Sequence, residues 1–212
     1  MLSTTPRTTL GREKHRGSND RNDLYEVLDT GLFCHLGVVV DGHPMVVPTG
    51  YGRLGETLYL HGSTGARSLR AGNGAEVCVT VTHVDGIVLA RSIFHHSVNY
   101  RSAIIYGHAR LLTDPEERLT GLRVLSEQLA PGQWDYVRKP SPKELAATAV
   151  LALSLEEASV KMRRGGPMDE EDDYALPVWA GVLPLVTSWG EPVPDPALPE
   201  GIDVPVHIRG RE

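Results

Sequence analysis

The chain has little cysteine and no long hydrophobic run. Its two cysteines, Cys34 and Cys78, both lie in apolar strand-like runs and are predicted to be small buried residues, not parts of a disulfide framework. No apolar run approaches the roughly 20 residues that a membrane helix needs. The N-terminus has basic residues but lacks the apolar region of a signal peptide. From these absences we expect a protein without a membrane segment, in the cytoplasm.

An excess of positive charge is also missing. The formal net charge is −6 at pH 7. A general nucleic-acid binder presents a basic surface to the phosphate backbone. The sequence therefore predicts no nucleic-acid partner.

Several motifs typical of catalytic centres are absent. The chain has no H-E-x-x-H, no zinc-type Cys/His spacing, no G-x-S-x-G, no Walker P-loop and no G-x-G-x-x-G after a strand. His95 and His96 are adjacent, so on a strand they point to opposite faces and do not easily bind one ion. We predict no metal site, assign no catalytic residue, and expect a bound cofactor to carry the chemistry. A role as haem ligand stays open for His35, His61, His95 and His96.

What the chain contains is a series of short apolar segments joined by turns. Such a meander of many strands tends to close into a barrel or to fold into a sandwich, which predicts a mainly β chain with a few helices. The predicted strands are 33–40, 45–51, 57–61, 77–82, 87–94, 103–112, 148–157 and 158–164. The predicted helices begin at Asn19 or Asp20, at Gly62, at Asp114 and near Pro142.

The densest group of polar residues lies between Val77 and Leu112. Asp85-Gly86 predicts a hairpin turn, because glycine tolerates the positive φ of such turns. The stretch is therefore predicted to form three strands, with the polar run His95–Ser102 before the third. Patterned strands beside many hydrogen-bond donors are typical of a scaffold that holds a ligand.

A candidate anion site follows the strand at 57–61. The segment from Gly62 to Gly72 predicts a short helix with Ser63, Thr64 and Arg67 at its start. Free N–H groups, hydroxyls and a guanidinium there suit a phosphate. The alternative is an ordinary capped helix.

Arg91 is predicted to face inward, because it alternates in phase with the apolar residues of the run 87–93. A buried guanidinium needs a partner. Asp85 or Glu76 is one candidate, and a cofactor phosphate or polar ring edge is the other.

Three segments resemble a known family. Residues 58–70 (LYLHGSTGARSLR), 77–109 (VCVTVTHVDGIVLARSIFHHSVNYRSAIIYGHA) and 177–184 (PVWAGVLP) are similar to pyridoxamine 5′-phosphate oxidase-like flavoproteins, in the nitroimidazole-resistance or flavin-nucleotide-binding branch. The resemblance implies a six-stranded split β-barrel of antiparallel Greek-key type, in the α+β class. It also implies a homodimer with FMN in a groove at the dimer interface.

The likeness covers about residues 20–185 and divides the chain into three parts. Residues 1–19 are a polar arm that is flexible or lies across another part of the molecule. Residues 20–185 are the FMN-binding split-barrel domain. Residues 186–212 are a Pro-rich tail, which we expect to be extended.

The resemblance also assigns the cofactor contacts. One group binds the flavin phosphate at the helix start, a second follows the ring and ribityl chain, and a third reaches the flavin from its edge. A tryptophan lies near the isoalloxazine, contributed by the partner subunit. The groups are Ser63, Arg67 and Ser68, preceded by His61 and Gly62, for the phosphate; Val47, Pro48 and Thr49 for the ring and ribityl chain; Tyr100, Arg101 and Ser102 for the edge; and Trp179 from the partner.

The chain departs from the oxidase proper at two points. Arg67 is followed by Ser68 where the oxidase has a second basic residue, and the C-terminal substrate signature is missing. Oxidation of vitamin B6 is therefore not expected. Some members of the family bind F420 or haem in place of FMN.

Two functions remain open from the sequence. The first is an FMN-dependent oxidoreductase that passes a hydride or electrons to a small acceptor of the nitroaromatic or quinone type, with His35, His61 or Tyr100 as proton donor. The second is a non-catalytic carrier or sensor of flavin, F420 or haem. The expected partners are a second copy of the chain and small molecules.

Overall fold

The computed structural model describes residues 1–211 and consists mainly of antiparallel strands. Ten strands and six α-helices occur in this range, with 3-10 turns at Lys14–Arg16, Ile93–His95 and Glu171–Ala175. The strands are β1 (Gly17–Ser18), β2 (Phe33–Val40), β3 (His43–Leu54), β4 (Thr57–Ser63), β5 (Glu76–Leu89), β6 (Ser97–His108), β7 (Arg110–Leu111), β8 (Thr148–Ser154), β9 (Glu157–Arg163) and β10 (Gly181–Pro184). The helices are α1 (Arg21–Thr30), α2 (Arg67–Gly72), α3 (Pro115–Leu129), α4 (Gln133–Tyr136), α5 (Pro142–Ala147) and α6 (Val206–Arg209).

The strands form one curved sheet in the order β1-β9-β6-β5-β2-β3-β4-β8-β7, and β10 pairs with β5. β8 and β9 follow each other in the chain, yet β8 pairs with β4 and β9 with β6. The sheet thus bends round a single core without closing. This confirms the expected mainly β, α+β split-barrel fold. The resemblance implied a six-stranded barrel, whereas residues 1–211 contain ten strands. The short strands β1, β7 and β10 are among those that extend the sheet.

Alternation along each strand supplies the core. In β5, Val77, Val79 and Val81 are buried, as the period of two predicts. On α1, Leu24 and Leu28 are fully buried, and Asp20 caps the helix by accepting a hydrogen bond from the Asn22 N–H at 2.9 Å. α3 begins at Pro115 after the Asp114 cap, as predicted.

The predicted hairpin at Asp85-Gly86 is wrong. β5 continues through both residues, with a bulge between Val84 and Gly86, so Val77–Leu112 contains two long strands instead of three. A Cβ on Gly86 would lie 2.9 Å from the Leu183 carbonyl oxygen, so this glycine serves the close approach of β10 and makes no turn. The predicted strand 87–94 ends at Leu89, and Phe94 on the following turn is 88% exposed.

The N-terminal arm lies across β9, one of the two placements that the sequence left open. The Leu2 N–H donates to the Asn19 carbonyl at 2.9 Å, Leu2 is buried, and Arg7 forms a salt bridge with Glu157. The flexibility of the arm and the domain boundaries stay predictions. No helix within residues 1–211 is both long enough and apolar enough to cross a membrane.

Candidate functional site

β2 and β3 present an apolar surface on the side away from the core. Their cross-strand pairs there include His35 with Pro48 and Phe33 with Gly50. Phe33 and Val46 are 63% and 66% exposed, and His35 and Pro48 are exposed as well. We call the surface made by Phe33, His35, Val39, Val46 and Pro48 the outer face. An apolar face of this kind in contact with water marks a binding surface.

The outer face continues onto β5 and β6. Register pairs Thr80 with both His35 and Ile104, so the side chains of even-numbered residues from Tyr100 to Ile104 share this side. Tyr100, Ser102 and Pro48, three of the predicted cofactor contacts, therefore lie on one face. Their common placement gives the predicted site a continuous floor.

Other predicted contacts face the opposite side. Val47 and Thr49 pair with the buried residues Leu36 and Cys34. Arg101 also points away from the outer face and is held by carboxylates. Its Nη2 lies 2.9 Å from Asp85 Oδ1 and its Nη1 lies 3.3 Å from Glu26 Oε1, and the hydrogen bonds with Asp85 raise its pKa. Within this chain Arg101 is an ion-pair residue.

The predicted phosphate donors gather where β4 ends and α2 begins. β4 extends to Ser63, and α2 starts only at Arg67 with Ala66 as an N-cap that makes no side-chain hydrogen bond. The predicted helix start at the Ser63-Thr64 capping residues is therefore wrong. Ser63 Oγ instead accepts a hydrogen bond from the Gly65 N–H at 3.2 Å.

Arg67 has a partner that the sequence did not reveal. Its Nη2 lies 2.7 Å from Asp41 Oδ2, in the tight turn between β2 and β3, and the two side chains are 65% and 79% exposed. An exposed pair of this kind is weak. The guanidinium is therefore available to a stronger anion, so the donor set fits a phosphate. A cavity of about 290 Å³ lies beside it, lined by Arg67, Arg70 and Asp41.

His61 carries an unsatisfied ring nitrogen. Its Nδ1 is buried and has no hydrogen-bond partner within residues 1–211. Burial lowers the pKa of the imidazole, so the neutral form is favoured. An unpaired buried nitrogen is costly, and a bound molecule that supplies a partner would remove this cost. The adjacent Gly62 serves packing, since a Cβ there would lie 2.7 Å from Leu69 Cδ1.

Trp179 lies on the segment that leads into β10 and is 68% exposed. That segment is attached to the β5–β6 connection by Asp169. The fully buried Asp169 carboxylate accepts hydrogen bonds from the Arg91 N–H at 2.8 Å and from Arg91 Nη1 at 3.0 Å. Burial alone would raise the pKa of Asp169, but these hydrogen bonds hold it below its usual value.

Of the two alternatives for Arg91, the carboxylate partners Asp85 and Glu76 are therefore wrong, and a cofactor group stays a prediction. Asp169 belongs to the acidic run MDEEDD at 168–173. Tyr174 from the same segment lies over the Arg91 guanidinium, with 4.8 Å from Cζ to the ring centroid. No local pattern distinguishes Asp169 from its acidic neighbours, so only the tertiary contact identifies it.

The histidines differ in what surrounds them. His96 Nδ1 lies 3.2 Å from the Ala90 N–H, and His95 Nε2 lies 3.7 Å from Glu170. His35 is exposed on the outer face between apolar neighbours, and its imidazole makes no hydrogen bond within residues 1–211. No cluster of three or more metal-binding side chains occurs in the described range. A single exposed imidazole on a flat apolar surface fits a haem iron, which needs one axial nitrogen and an apolar platform.

Known proteins resemble the chain over most of its length. The family model described as pyridoxamine 5′-phosphate oxidase matches residues 20–162. The flavocytochrome Anf3 from Azotobacter vinelandii is 36% identical, with a TM-score of 0.95, covering 100% of this chain and 99% of that chain. The FAD and haem binding protein from Mycobacterium smegmatis is 39% identical, with a TM-score of 0.89, covering 92% and 97%.

A more distant likeness shows the fold alone. A chain from Bacteroides thetaiotaomicron named for 5-nitroimidazole antibiotic resistance is 21% identical, with a TM-score of 0.58, covering 68% of this chain and 85% of that chain. No curated protein sequence matches the chain.

Proposed function

Since the chain belongs to the pyridoxamine 5′-phosphate oxidase family, we propose that it is a dimeric redox protein that binds both a flavin and haem. The observation that carries the proposal is the full-length likeness to two solved chains. One is named a flavocytochrome and the other is named for FAD and haem. At 36% and 39% identity the likeness extends beyond the fold to the sequence itself.

The flavin phosphate is assigned to Arg67, Ser63 and Ser68. The support is chemical, since the Arg67 guanidinium is paired only with an exposed carboxylate, and Ser63 and Ser68 belong to the same short β4–α2 segment. The sequence predicted FMN. The neighbour that is named for its ligands binds FAD, so the proposal takes FAD as the flavin and FMN as the alternative that the test distinguishes.

The haem is assigned to the outer face, where the His35 imidazole would hold its iron. His35 is supported by its exposure, by the apolar side chains around it and by the absence of a competing hydrogen bond within the described residues. His61, whose neutral imidazole has a buried, unpaired Nδ1, is assigned to the flavin.

The dimer is assigned to the same outer face. Phe33, Val39 and Val46 are each more than half exposed in one protomer. Pairing of two such faces would remove this surface from water and would enclose a cofactor between the protomers. Trp179 is exposed, and Asp169 attaches its segment to the β5–β6 connection. In such a dimer Trp179 would contact the site of the partner subunit.

A bound flavin accepts or donates electrons singly or in pairs, and a haem exchanges them singly. The chain contributes placement and the exclusion of solvent. His61 Nδ1 is the atom proposed to take or give a proton, because it is buried, neutral and otherwise unpaired. The final acceptor, predicted from the sequence as a small nitroaromatic or quinone, stays a prediction.

The absorption spectrum of the purified protein tests the proposal. We expect flavin bands together with a Soret band, and release of FAD and haem in near-equal amounts on denaturation. Release of FMN would correct the flavin assignment, and a flavin spectrum without a Soret band, even after addition of hemin, would contradict the haem assignment.

Four single variants test the axial ligand. His35→Ala is expected to lose or shift the Soret band, while His61→Ala, His95→Ala and His96→Ala retain it. A Soret band unchanged in His35→Ala and altered in another variant would move the ligand to that histidine.

A further inference from the structure

The C-terminal segment contains an unusually long run of exposed residues. Every residue from 183 to 203 is exposed, including apolar side chains. Val186 is 81% exposed, Val193 is 91% and Trp189 is 47%. We call residues 186–205 (VTSWGEPVPDPALPEGIDVP) the strap. The Trp189 ring lies against the Arg211 guanidinium of the same chain, with 3.8 Å from Cζ to the ring centroid. The other apolar side chains of the strap face water in one protomer, which indicates a missing contact surface.

The strap is attached at both ends. Just before it, the Leu185 N–H donates to the Asp85 carbonyl at 3.1 Å. Just after it, His207 Nε2 lies 2.8 Å from Gln133 Oε1 and the His207 ring packs beside Tyr136. Between residues 186 and 203, the hydrogen bonds in the described chain are internal, such as the one from Leu198 N–H to the Asp195 carbonyl at 2.9 Å.

The path of the strap is shared with an experimentally solved chain. The likeness to the Azotobacter flavocytochrome extends over 100% of this chain with a TM-score of 0.95, so it includes the strap. The four prolines from Pro192 to Pro199 also restrict the backbone to extended conformations. A segment ordered in this way loses little entropy when it binds.

The strap is acidic. It contains Glu191, Asp195, Glu200 and Asp203 and no lysine or arginine. None of these carboxylates forms a salt bridge within residues 1–211. Its partner must therefore combine apolar surface with positive charge.

The N-terminal arm supplies positive charge. Arg12 and Lys14 form no salt bridge within the part of the chain that the structure describes, whereas Arg16 pairs with Glu13 of the same arm at 3.0 Å. The arm lies across β9, in the same sheet as the outer face. The strap makes no hydrogen bond or salt bridge to the arm of its own protomer within residues 1–211.

We propose that the strap lies across a second copy of this chain, with its carboxylates against the basic arm segment 12–16 of that copy and its apolar side chains on the adjoining surface. The inference rests on the proposed dimer and assigns it a second contact besides the outer face. Burial of the apolar strap residues supplies affinity, and the charge pairing sets the register between the two copies.

Chemical cross-linking of dimers with one unlabelled and one ¹⁵N-labelled subunit tests the contact between the strap and the arm of the second copy. The full-length protein is used. Unlabelled and ¹⁵N-labelled protein are mixed, allowed to exchange subunits and treated with a carbodiimide, which joins a carboxylate directly to an amine. We expect peptides that join Lys14 of one isotope to Glu191, Asp195, Glu200 or Asp203 of the other. Cross-links from Lys14 to the strap found only within one isotope would overturn the proposal.

Charge variants test how much the strap carboxylates contribute to the stability of the dimer. Glu191→Lys with Asp195→Lys is expected to raise the dimer dissociation constant roughly 10-fold at low salt, and Arg12→Glu with Lys14→Glu in the same chain is expected to restore it. Glu116→Lys with Glu156→Lys, at two exposed glutamates outside the strap, is the control with the same change of charge.

The two proposals fail in different ways. Suppose that the protein is a dimer with flavin and haem, and that the strap variant and the control have the same dimer dissociation constant. This result would overturn the strap contact and leave the proposed function standing. A colourless monomer would overturn both.

Discussion

At the residue scale, the site depends on a few side chains whose partners are weak or missing. Arg67 has only the exposed Asp41, and His61 has a buried nitrogen without a partner within residues 1–211. Arg91 and Arg101, in contrast, are committed to carboxylates of their own chain. The difference separates the residues that a ligand can recruit from those that hold the fold together.

Arg67→Ala is expected to weaken flavin binding by about 1.5–3 kcal/mol, because one charge-assisted hydrogen bond to the phosphate is lost. Asp41→Asn is expected to act in the opposite direction and tighten binding by at most about 1 kcal/mol, because the competing carboxylate is removed. Titration of flavin into apoprotein, followed by fluorescence quenching, measures both effects. Arg123→Ala, which removes an exposed arginine on α3, is the control and should change the dissociation constant little. Equal weakening by Arg67→Ala and Arg123→Ala would mean that the effect is general electrostatics.

The pH dependence of stability is expected to report on His61. Its pKa is lower in the folded protein than the ordinary value of 6.5, so the unfolded chain binds the proton more readily. Its contribution to stability is therefore complete above about pH 6.5 and is lost as the pH falls below that value. Denaturant titrations of the apoprotein, made between about pH 7.5 and about pH 5, bracket the ordinary histidine pKa. The free energy of unfolding should fall less over this range for His61→Gln than for the parent protein. Identical declines for the variant and the parent would contradict the account.

The sequence proposes the phosphate donors but does not reveal the side chains that oppose them. Ser63, Arg67 and Ser68 belong to one local segment, so spacing and resemblance together are enough to propose them. Asp41 and Asp169 are distant in sequence from the arginines that they bind and have no local signature. Predicting those pairs requires the packing of β2 against α2 and of the 168–178 segment against the β5–β6 connection.

At the element scale, glycines decide where strands and helices approach one another. Gly50 and Gly52 flank Tyr51 on β3, and a glycine within a strand can allow a close backbone approach. A Cβ on Gly52 would lie 2.7 Å from the Val124 carbonyl oxygen on α3, whereas the nearest atom to a Cβ on Gly50 is 3.9 Å away. The close approach therefore occurs at Gly52 alone. The glycine of the Asp85-Gly86 pair is also needed, but for a different reason from the predicted turn. Gly86 allows the close approach of β10 and makes no turn.

Gly52→Ala is expected to lower the free energy of unfolding by about 1–3 kcal/mol, because a backbone oxygen cannot move aside as a flexible side chain does. Gly50→Ala, two residues away on the same strand, is the matched control and should change it by no more than about 0.5 kcal/mol. Chemical denaturation of the apoprotein measures both. Equal effects would mean that α3 shifts easily on β3 and that the glycine is not required for packing.

At the scale of the whole molecule, the split-barrel fold followed from the resemblance, while the strand patterns alone left barrel and sandwich open. Alternation specifies which residues are buried, but it does not specify how a sheet curves. The flavin proposal was partly available from the sequence, since the proposed phosphate donors are local, but the proposed pairing of flavin with haem rests on the full-length neighbours. The roles proposed for the outer face and the strap depend on a second copy, and a single sequence does not say which exposed apolar residues would meet it.

The central claim is that one protein binds a flavin and a haem that exchange electrons. Photoreduction of the flavin tests it most directly. The oxidised holoprotein is illuminated anaerobically with EDTA as sacrificial donor, so that electrons enter through the flavin, and the haem bands are followed. The account predicts that the haem is reduced at a rate independent of protein concentration, because the transfer takes place within one dimer. Complete bleaching of the flavin while the haem stays oxidised would contradict it.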